Sequence, residues 1–110
     1  MKVFWFLSMV TLCASCGLNS TAYCDFRPKE SRCQERDGIF TTVAAFKQTC
    51  GVAQGQAGDG PCPREGIVGG CDMSEVSNPV RDWYYSDPAH QVTTPAQVMA
   101  KCDGKPYLAP

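Results

Sequence analysis

The longest apolar stretch of the chain lies near its N-terminus, directly after a basic start at Met1 and Lys2. Residues 3–12, VFWFLSMVTL, are apolar except for Ser8 and Thr11, and they show no amphipathic period. A helix that spans a bilayer needs about 20 residues, whereas a secretory signal uses an apolar run of about 7 to 15. The stretch therefore predicts a signal peptide, and the missing period disfavours the alternative of a buried N-terminal helix.

Two sites compete for the end of this signal. Residues 13–16, CASC, resemble a bacterial lipobox, in which small residues precede a cysteine that is lipidated and becomes the mature N-terminus; the first residue here is a cysteine where leucine is usual. Residues 20–22, STA, instead form an A-x-A-like site that would release Tyr23 as the first residue. We expect a lipid on Cys16, with residues 17–22 as a flexible tether and the membrane as partner through this anchor. Soluble secretion from Tyr23 is the alternative.

Two later segments have the periodicity and boundary residues of short helices. Residues 41–51, TTVAAFKQTCG, place their apolar side chains on one side, behind Thr41 or Thr42 as a cap and before a terminal glycine. Residues 94–104, TPAQVMAKCDG, are marked more strongly: Thr94 is the cap, a proline takes the first helical position, and a glutamine completes a capping box. The pattern predicts one helix in each segment.

The strand pattern is confined to two segments. Residues 67–72, IVGGCD, and 80–86, VRDWYYS, are rich in β-branched and aromatic residues, which predicts a β-hairpin with a long connection. Residues 23–40 are dominated by charged and polar side chains, and residues 52–66 by glycine and proline, so both predict loops. The predicted fold is a small α+β disulfide-rich domain with two short helices, a β-hairpin and long loops.

The cysteines add the strongest constraint on the predicted fold. Once residues 1–22 are assigned to signal and tether, the domain at 23–110 keeps an even number of cysteines, which in an exported chain predicts three disulfides. A domain this small buries only roughly 60% of its unfolded surface, so the disulfides are expected to be its main stabilising element. Zinc is disfavoured, because no C-x-x-C pair occurs among the cysteines of residues 23–110 and the single histidine, His90, has no partner at ligand spacing. Fifteen pairings are possible, and of these we choose Cys24 with Cys33, Cys50 with Cys62, and Cys71 with Cys102.

Charge and candidate chemistry exclude several functions. Ten basic and eleven acidic residues are mixed along the chain, so no basic stripe is available for nucleic acid. The only imidazole, His90, lies beside Asp87 in a proline-flanked linker, where a surface histidine is expected rather than a catalytic base. Cysteine nucleophiles are excluded if all six cysteines are paired. We therefore expect no catalytic residue, no metal and no cofactor.

Two features are candidates for binding a protein partner. Along a strand, Trp83 and Tyr85 point to one face and Tyr84 to the other, so these aromatics either form the core or present a ring to a partner. The segment 62–71, CPREGIVGGC, offers Arg64 as a trypsin-type recognition residue on a disulfide-held loop. A secreted protease inhibitor or effector is therefore the alternative function.

Short motifs along the domain resemble a loose group of small bacterial secreted or lipid-anchored cysteine-rich proteins. This group has no established activity, so the resemblance implies no catalytic residue, and it favours the lipid anchor. Together these points predict a non-enzymatic, exported cell-envelope lipoprotein or secreted binding module. The residues that carry the resemblance are Cys24-Asp25-Phe26-Arg27 with Cys33 and Glu35, Cys50, Cys62-Pro63, Val68-Gly69 with Cys71, Tyr84-Tyr85, and Ala100 with Cys102.

Overall fold

The computed structural model describes residues 19–75 and 78–110, so the predicted signal peptide, the lipobox and Cys16 lie outside the described residues. Within the described part, six strands form one antiparallel sheet in the order β3-β1-β2-β5-β4-β6. The strands are β1 (Ser20–Asp25), β2 (Arg32–Gly38), β3 (Gln56–Asp59), β4 (Ile67–Asp72), β5 (Val80–Tyr85) and β6 (Tyr107–Leu108); the helices are α1 (Phe40–Val52) and α2 (Pro95–Lys101), with a short 3₁₀ helix at Pro88–His90.

The predicted hairpin is confirmed as β4 and β5, but it is only part of a larger sheet, in which β2 and β6 flank it. The prediction of loops at 23–40 and 52–66 is wrong, because these segments contain the second half of β1, all of β2 and all of β3. The charged side chains of β2 find cross-strand partners: the Glu35 carboxylate lies 2.6 Å from Arg81 of β5. Such long-range pairing turns a polar segment into a half-buried strand, and the local sequence does not reveal it.

Both helices lie on the same face of the sheet, which we call the helix face. Directly opposed residues of antiparallel strands point to the same side. Cys24 of β1 opposes Gln34 of β2, Gln34 opposes Asp82 of β5, and Asp82 opposes Cys71 of β4. Cys24 is bonded to α1 and Cys71 to the residue that follows α2, so the helices cover the two ends of one face.

The other side of the sheet, which we call the loop face, is covered by the segment that carries Cys62. Its core cluster contains Cys33, Cys62, Trp83 and Tyr85. The helix face has a second cluster under α2, formed by Cys71, Val92, Val98 and Cys102. Each cluster contains one disulfide, so these two bridges are part of the two cores rather than surface links.

The three predicted disulfides are confirmed, but only one predicted pairing is correct. The bonds are Cys24–Cys50, Cys33–Cys62 and Cys71–Cys102. Cys24 and Cys33 cannot bond to each other, because the register of β1 and β2 directs them to opposite faces: Cys24 opposes Gln34, whereas Cys33 opposes Asp25. Each bond instead joins a strand to the element that covers its face.

Of the two predicted helix caps, one is confirmed and one is wrong. The capping box of α2 is present as predicted, with Thr94 as the N-cap. The threonine cap predicted for α1 is wrong: the helix begins at Phe40 behind Ile39, which has no side-chain cap, and it runs one residue past Gly51. Strand β2 leads directly into α1, so packing on the sheet determines where this helix begins. Among the residues described, neither helix has the length and apolar character needed to cross a bilayer.

Candidate functional site

A cleft of about 460 Å³ lies on the helix face between α1 and strands β1 and β2. Its floor is polar, with Gln34 and Arg36 of β2, and two phenylalanines, Phe26 and Phe46, add apolar surface. The volume is within the range of about 300–1,000 Å³ that is usual for small-molecule sites. Its remaining lining residues include the Cys24–Cys50 disulfide and the α1 residues Thr42, Ala45 and Thr49.

A second cleft of about 370 Å³ lies on the same face at the α2 side. Arg32, Tyr84 and Lys101 line it, and the Lys101 ammonium lies 6.0 Å from the centre of the Tyr84 ring. Asp82, only 6% exposed, lies on the floor between the two clefts. Its Oδ1 accepts a hydrogen bond of 2.8 Å from Gln34 Nε2. Burial raises the pKa of Asp82, and the Gln34 hydrogen bond and the Arg32 guanidinium, 3.6 Å away, partly offset this effect.

The three predicted aromatic binding residues separate as the strand alternation requires. Trp83 and Tyr85 point to the loop face and are 6% and 4% exposed, so they belong to the core. The Tyr85 hydroxyl donates a hydrogen bond of 2.6 Å to the Pro63 carbonyl, and burial raises the pKa of Tyr85 to about 12. Tyr84 lines the second cleft, on the helix face beside Lys101.

Arg64, the predicted protease-recognition residue, packs back on the domain. Its guanidinium lies 4.7 Å above the Trp83 ring and 3.6 Å from the Glu35 carboxylate, although the side chain is 55% exposed. The loop is held at its two ends by different bonds, Cys33–Cys62 and Cys71–Cys102. An inhibitor loop presents its recognition side chain preorganised for the enzyme, and this arginine is instead bound to its own scaffold.

The structure brings Ser31 to His90 and Asp87, a contact that the sequence analysis did not anticipate. Ser31 Oγ donates to Asp87 Oδ2, and the same oxygen lies 2.7 Å from His90 Nδ1. A serine, histidine and aspartate act as a nucleophile relay when the imidazole stands between the other two, with one partner on each ring nitrogen. Here Ser31 and Asp87 both face Nδ1. The hydrogen bonds from Ser31 and His90 lower the pKa of Asp87, which also caps the 3₁₀ helix. The cluster therefore fastens a loop.

The first cleft, which lies between α1 and strands β1 and β2 and which we call the α1 cleft, was missed by sequence reasoning. Gln34 and Arg36 belong to the segment RCQERDG, in which polar residues alternate with Cys33 and Glu35. That alternation of period two is a strand signal, but a charged residue at a buried position concealed it. The described ranges contain no group of three or more His, Cys, Asp or Glu side chains arranged to hold a metal ion.

Comparison of the chain with protein-family models, with curated proteins and with solved structures found no match.

Proposed function

We propose that this chain is an exported, lipid-anchored module of the cell envelope that binds a ligand without transforming it. The observation that carries the proposal is the position of β1. This strand begins at Ser20, and Ala22 is 0% exposed between β2 and β3. Cleavage before Tyr23 would remove the first half of a central strand, whereas cleavage before Cys16 leaves the strand whole.

The bonds made by Thr21 indicate what would be lost. Its carbonyl accepts a hydrogen bond of 2.8 Å from Gly60 N, and its hydroxyl donates one of 2.8 Å to Asp37. Asp37 in turn lies 3.0 Å from the Arg81 guanidinium. Removal of residues 20–22 would take one hydrogen-bond partner from the Gly60 N–H and one from the Asp37 carboxylate, both half-buried, at a cost of about 0.5–1.5 kcal/mol for each bond. This favours the lipobox over the A-x-A-like site.

The three disulfides support export, because such bonds persist in oxidising compartments and are rare where thiols are kept reduced. A single acyl chain anchors a protein only marginally, and the diacylglyceryl group added at a lipobox cysteine overcomes this limit. With β1 starting at Ser20, the tether shortens from the six residues expected at 17–22 to residues 17–19.

The α1 cleft is the place we assign to the ligand. Its two cysteines are bonded to each other and therefore provide no nucleophile. The polar floor at Gln34 and Arg36 and the apolar surface of Phe26 and Phe46 suit a small molecule with an apolar body and a hydrogen-bonding end. This arrangement supports binding rather than turnover.

The anchor is tested by labelling cells with a fatty acid that carries an alkyne tag and isolating the protein from the membrane fraction. We expect the wild-type chain to be labelled and Cys16→Ser to be unlabelled. Cys13→Ser is the matched control, because it changes a cysteine of the same motif and should stay labelled. Label that persists in Cys16→Ser, or a wild-type protein without label, would contradict the proposal.

The ligand site is tested with anilinonaphthalene sulfonate, a dye with an apolar body and an anionic group. We expect saturable binding, weakened about tenfold by Ala45→Trp, which fills the α1 cleft. Ala44→Trp is the control, because Ala44 is the neighbouring exposed alanine and lines a different cleft. Equal effects of the two substitutions on dye affinity would show that the dye does not bind in the α1 cleft, which would contradict the proposed ligand site.

A further inference from the structure

Two large apolar side chains are exposed next to each other where β2 passes into α1. Phe40 is 72% exposed and Ile39 is 49% exposed, and neither belongs to a core cluster. Contiguous exposed apolar patches mark surfaces that meet a partner or a membrane, whereas apolar residues scattered singly are ordinary.

The exposed pair lies beside the point where the chain enters the sheet. The register of β1 and β2 places Ser20 opposite Gly38, the residue before Ile39. Ser20 and Phe40 also line the same cleft, of about 260 Å³. Cys16 precedes Ser20 by four residues, and four residues of extended chain span at most about 14 Å. A lipid on Cys16 therefore keeps the bilayer surface close to Phe40.

The charges of α1 itself do not oppose contact with lipid. The first turn of α1 contains no acidic residue. The helix carries a single charged side chain, Lys47, whose ammonium lies 2.5 Å from Asp59. Apolar side chains of this kind enter the interfacial zone of a bilayer to a depth of about 5–10 Å.

We infer that Ile39 and Phe40 insert into the bilayer that holds the lipid anchor, so that the domain stands on the membrane at the N-terminal end of α1. The inference rests on the proposed anchoring at Cys16. It sets an orientation for the domain: the Cys24–Cys50 disulfide places the other end of α1 four residues further along β1. Helix and strand therefore both lead away from the membrane.

Val52 provides a matched control within the same helix. It is the other strongly exposed apolar residue of α1, at 82% exposure. It lies twelve residues beyond Phe40, which is about 18 Å along the helix axis. In the inferred orientation Phe40 contacts lipid and Val52 stays in water.

The test uses the full chain, purified with its lipid and reconstituted into vesicles of phosphatidylethanolamine and phosphatidylglycerol. Part of the lipid carries bromine on its acyl chains, which quenches tryptophan at the interface. We expect bromolipid to reduce the fluorescence added by Phe40→Trp about twofold and to leave that of Val52→Trp nearly unchanged. The wild-type signal, which includes the buried Trp83, is subtracted from both, and near-ultraviolet circular dichroism verifies that both variants are folded.

The outcomes separate the two proposals. If intact mass shows lipid on Cys16 but bromolipid does not quench Phe40→Trp, the docking inference is wrong and the anchor stands. If bromolipid quenches both variants equally, α1 lies flat on the bilayer and the inferred orientation is wrong. If the protein carries no lipid, the anchor fails and the docking inference fails with it.

Discussion

Glu35 is buried to 2% exposure, and its carboxylate joins segments that are distant in sequence. Oε1 accepts a hydrogen bond of 2.9 Å from the Cys62 N–H, and Oε2 lies 2.6 Å from Arg81 Nε. The first bond fixes the loop that covers the loop face, and the second joins β2 to β5. At the scale of single residues, a buried carboxylate thus performs a structural task that is often left to apolar side chains.

Glu35→Gln should therefore lower the free energy of unfolding by about 2–3 kcal/mol, because it leaves the Arg81 charge without its closest partner. Denaturant unfolding with the disulfides intact measures the effect. Glu30→Gln is the control: Glu30 pairs with Arg32 on the surface and is 54% exposed, so its loss should cost less than about 1 kcal/mol. Equal losses for the two variants would contradict this role for Glu35.

Removing the charge of Asp82 should stabilise the domain, in contrast to removing that of Glu35, because burial raises the pKa of Asp82. The fold favours the protonated carboxyl, so the stability that this group contributes is present at acidic pH and is lost as the pH rises through the raised pKa. Asp82→Asn should therefore increase the unfolding free energy at pH 7, and the gain should shrink as the pH falls below the pKa of Asp82. Unfolding curves at several pH values measure this.

Asp72→Asn, on the neighbouring strand, is the control for the sign of the change in unfolding free energy. Hydrogen bonds from Ser74 lower the pKa of Asp72, so its ionised form is the one that the fold favours. This substitution should reduce stability at neutral pH. The same sign for both variants would show that burial of Asp82 is not the dominant effect.

At the scale of elements, α1 and α2 begin by different means. Thr94 accepts a hydrogen bond of 3.2 Å from Gln97 N, and the Gln97 side chain accepts one of 3.2 Å from Thr94 N. This local device makes α2 recognisable in the sequence. Helix α1 has no side-chain cap, and its buried residues are Val43 and Cys50, so its position depends on the sheet and on the bond to Cys24.

The difference predicts the effect of two threonine substitutions. Thr94→Ala should cost about 1 kcal/mol in unfolding free energy, because it removes the cap of α2. Thr41→Ala, in the first turn of α1, should change stability by less than about 0.5 kcal/mol, and in the stabilising direction, because alanine is the better helix former. A large loss of stability in Thr41→Ala would instead show that Thr41 caps α1, as the sequence predicted.

The same distinction explains how much of the fold was predictable. The hairpin of β4 and β5 and the capped helix α2 were predicted correctly, because their signals are local: aromatic and β-branched runs, a cap and a proline. Strand β2 was missed, because Glu35 and Arg81 satisfy each other across 46 residues of sequence. Strand β1 was missed, because its first half had been assigned to the tether. The missed strands also explain the two wrong disulfide pairings and the overlooked α1 cleft, whose floor is the helix face of β2.

At the scale of the whole molecule, the three disulfides close loops of similar length, with sequence separations of 26, 29 and 31 residues. Each bond joins a strand to the segment that covers it, so together they connect both faces of the sheet. A loop of this length contributes about 3–4 kcal/mol of stability, and the net stability of a small domain is only about 5–15 kcal/mol.

Reduction of all three bonds should therefore unfold the domain at or near room temperature. Near-ultraviolet circular dichroism in excess reductant measures the loss of fixed aromatic packing, with the oxidised protein in the same buffer as control. The signal of Trp83 and Tyr85 should collapse, because both rings pack in the cluster that contains the Cys33–Cys62 bond. A reduced protein that keeps its native spectrum would show that the apolar cores suffice alone.

The central claim is that the mature chain begins at Cys16, carries lipid there and keeps the whole of β1. Intact-mass spectrometry of the protein extracted from membranes, combined with sequencing of its N-terminal peptide, tests this directly. We expect the mass of residues 16–110 with three disulfides plus a diacylglyceryl group on Cys16. An unmodified, folded product that begins at Tyr23, without the first half of β1, would contradict it.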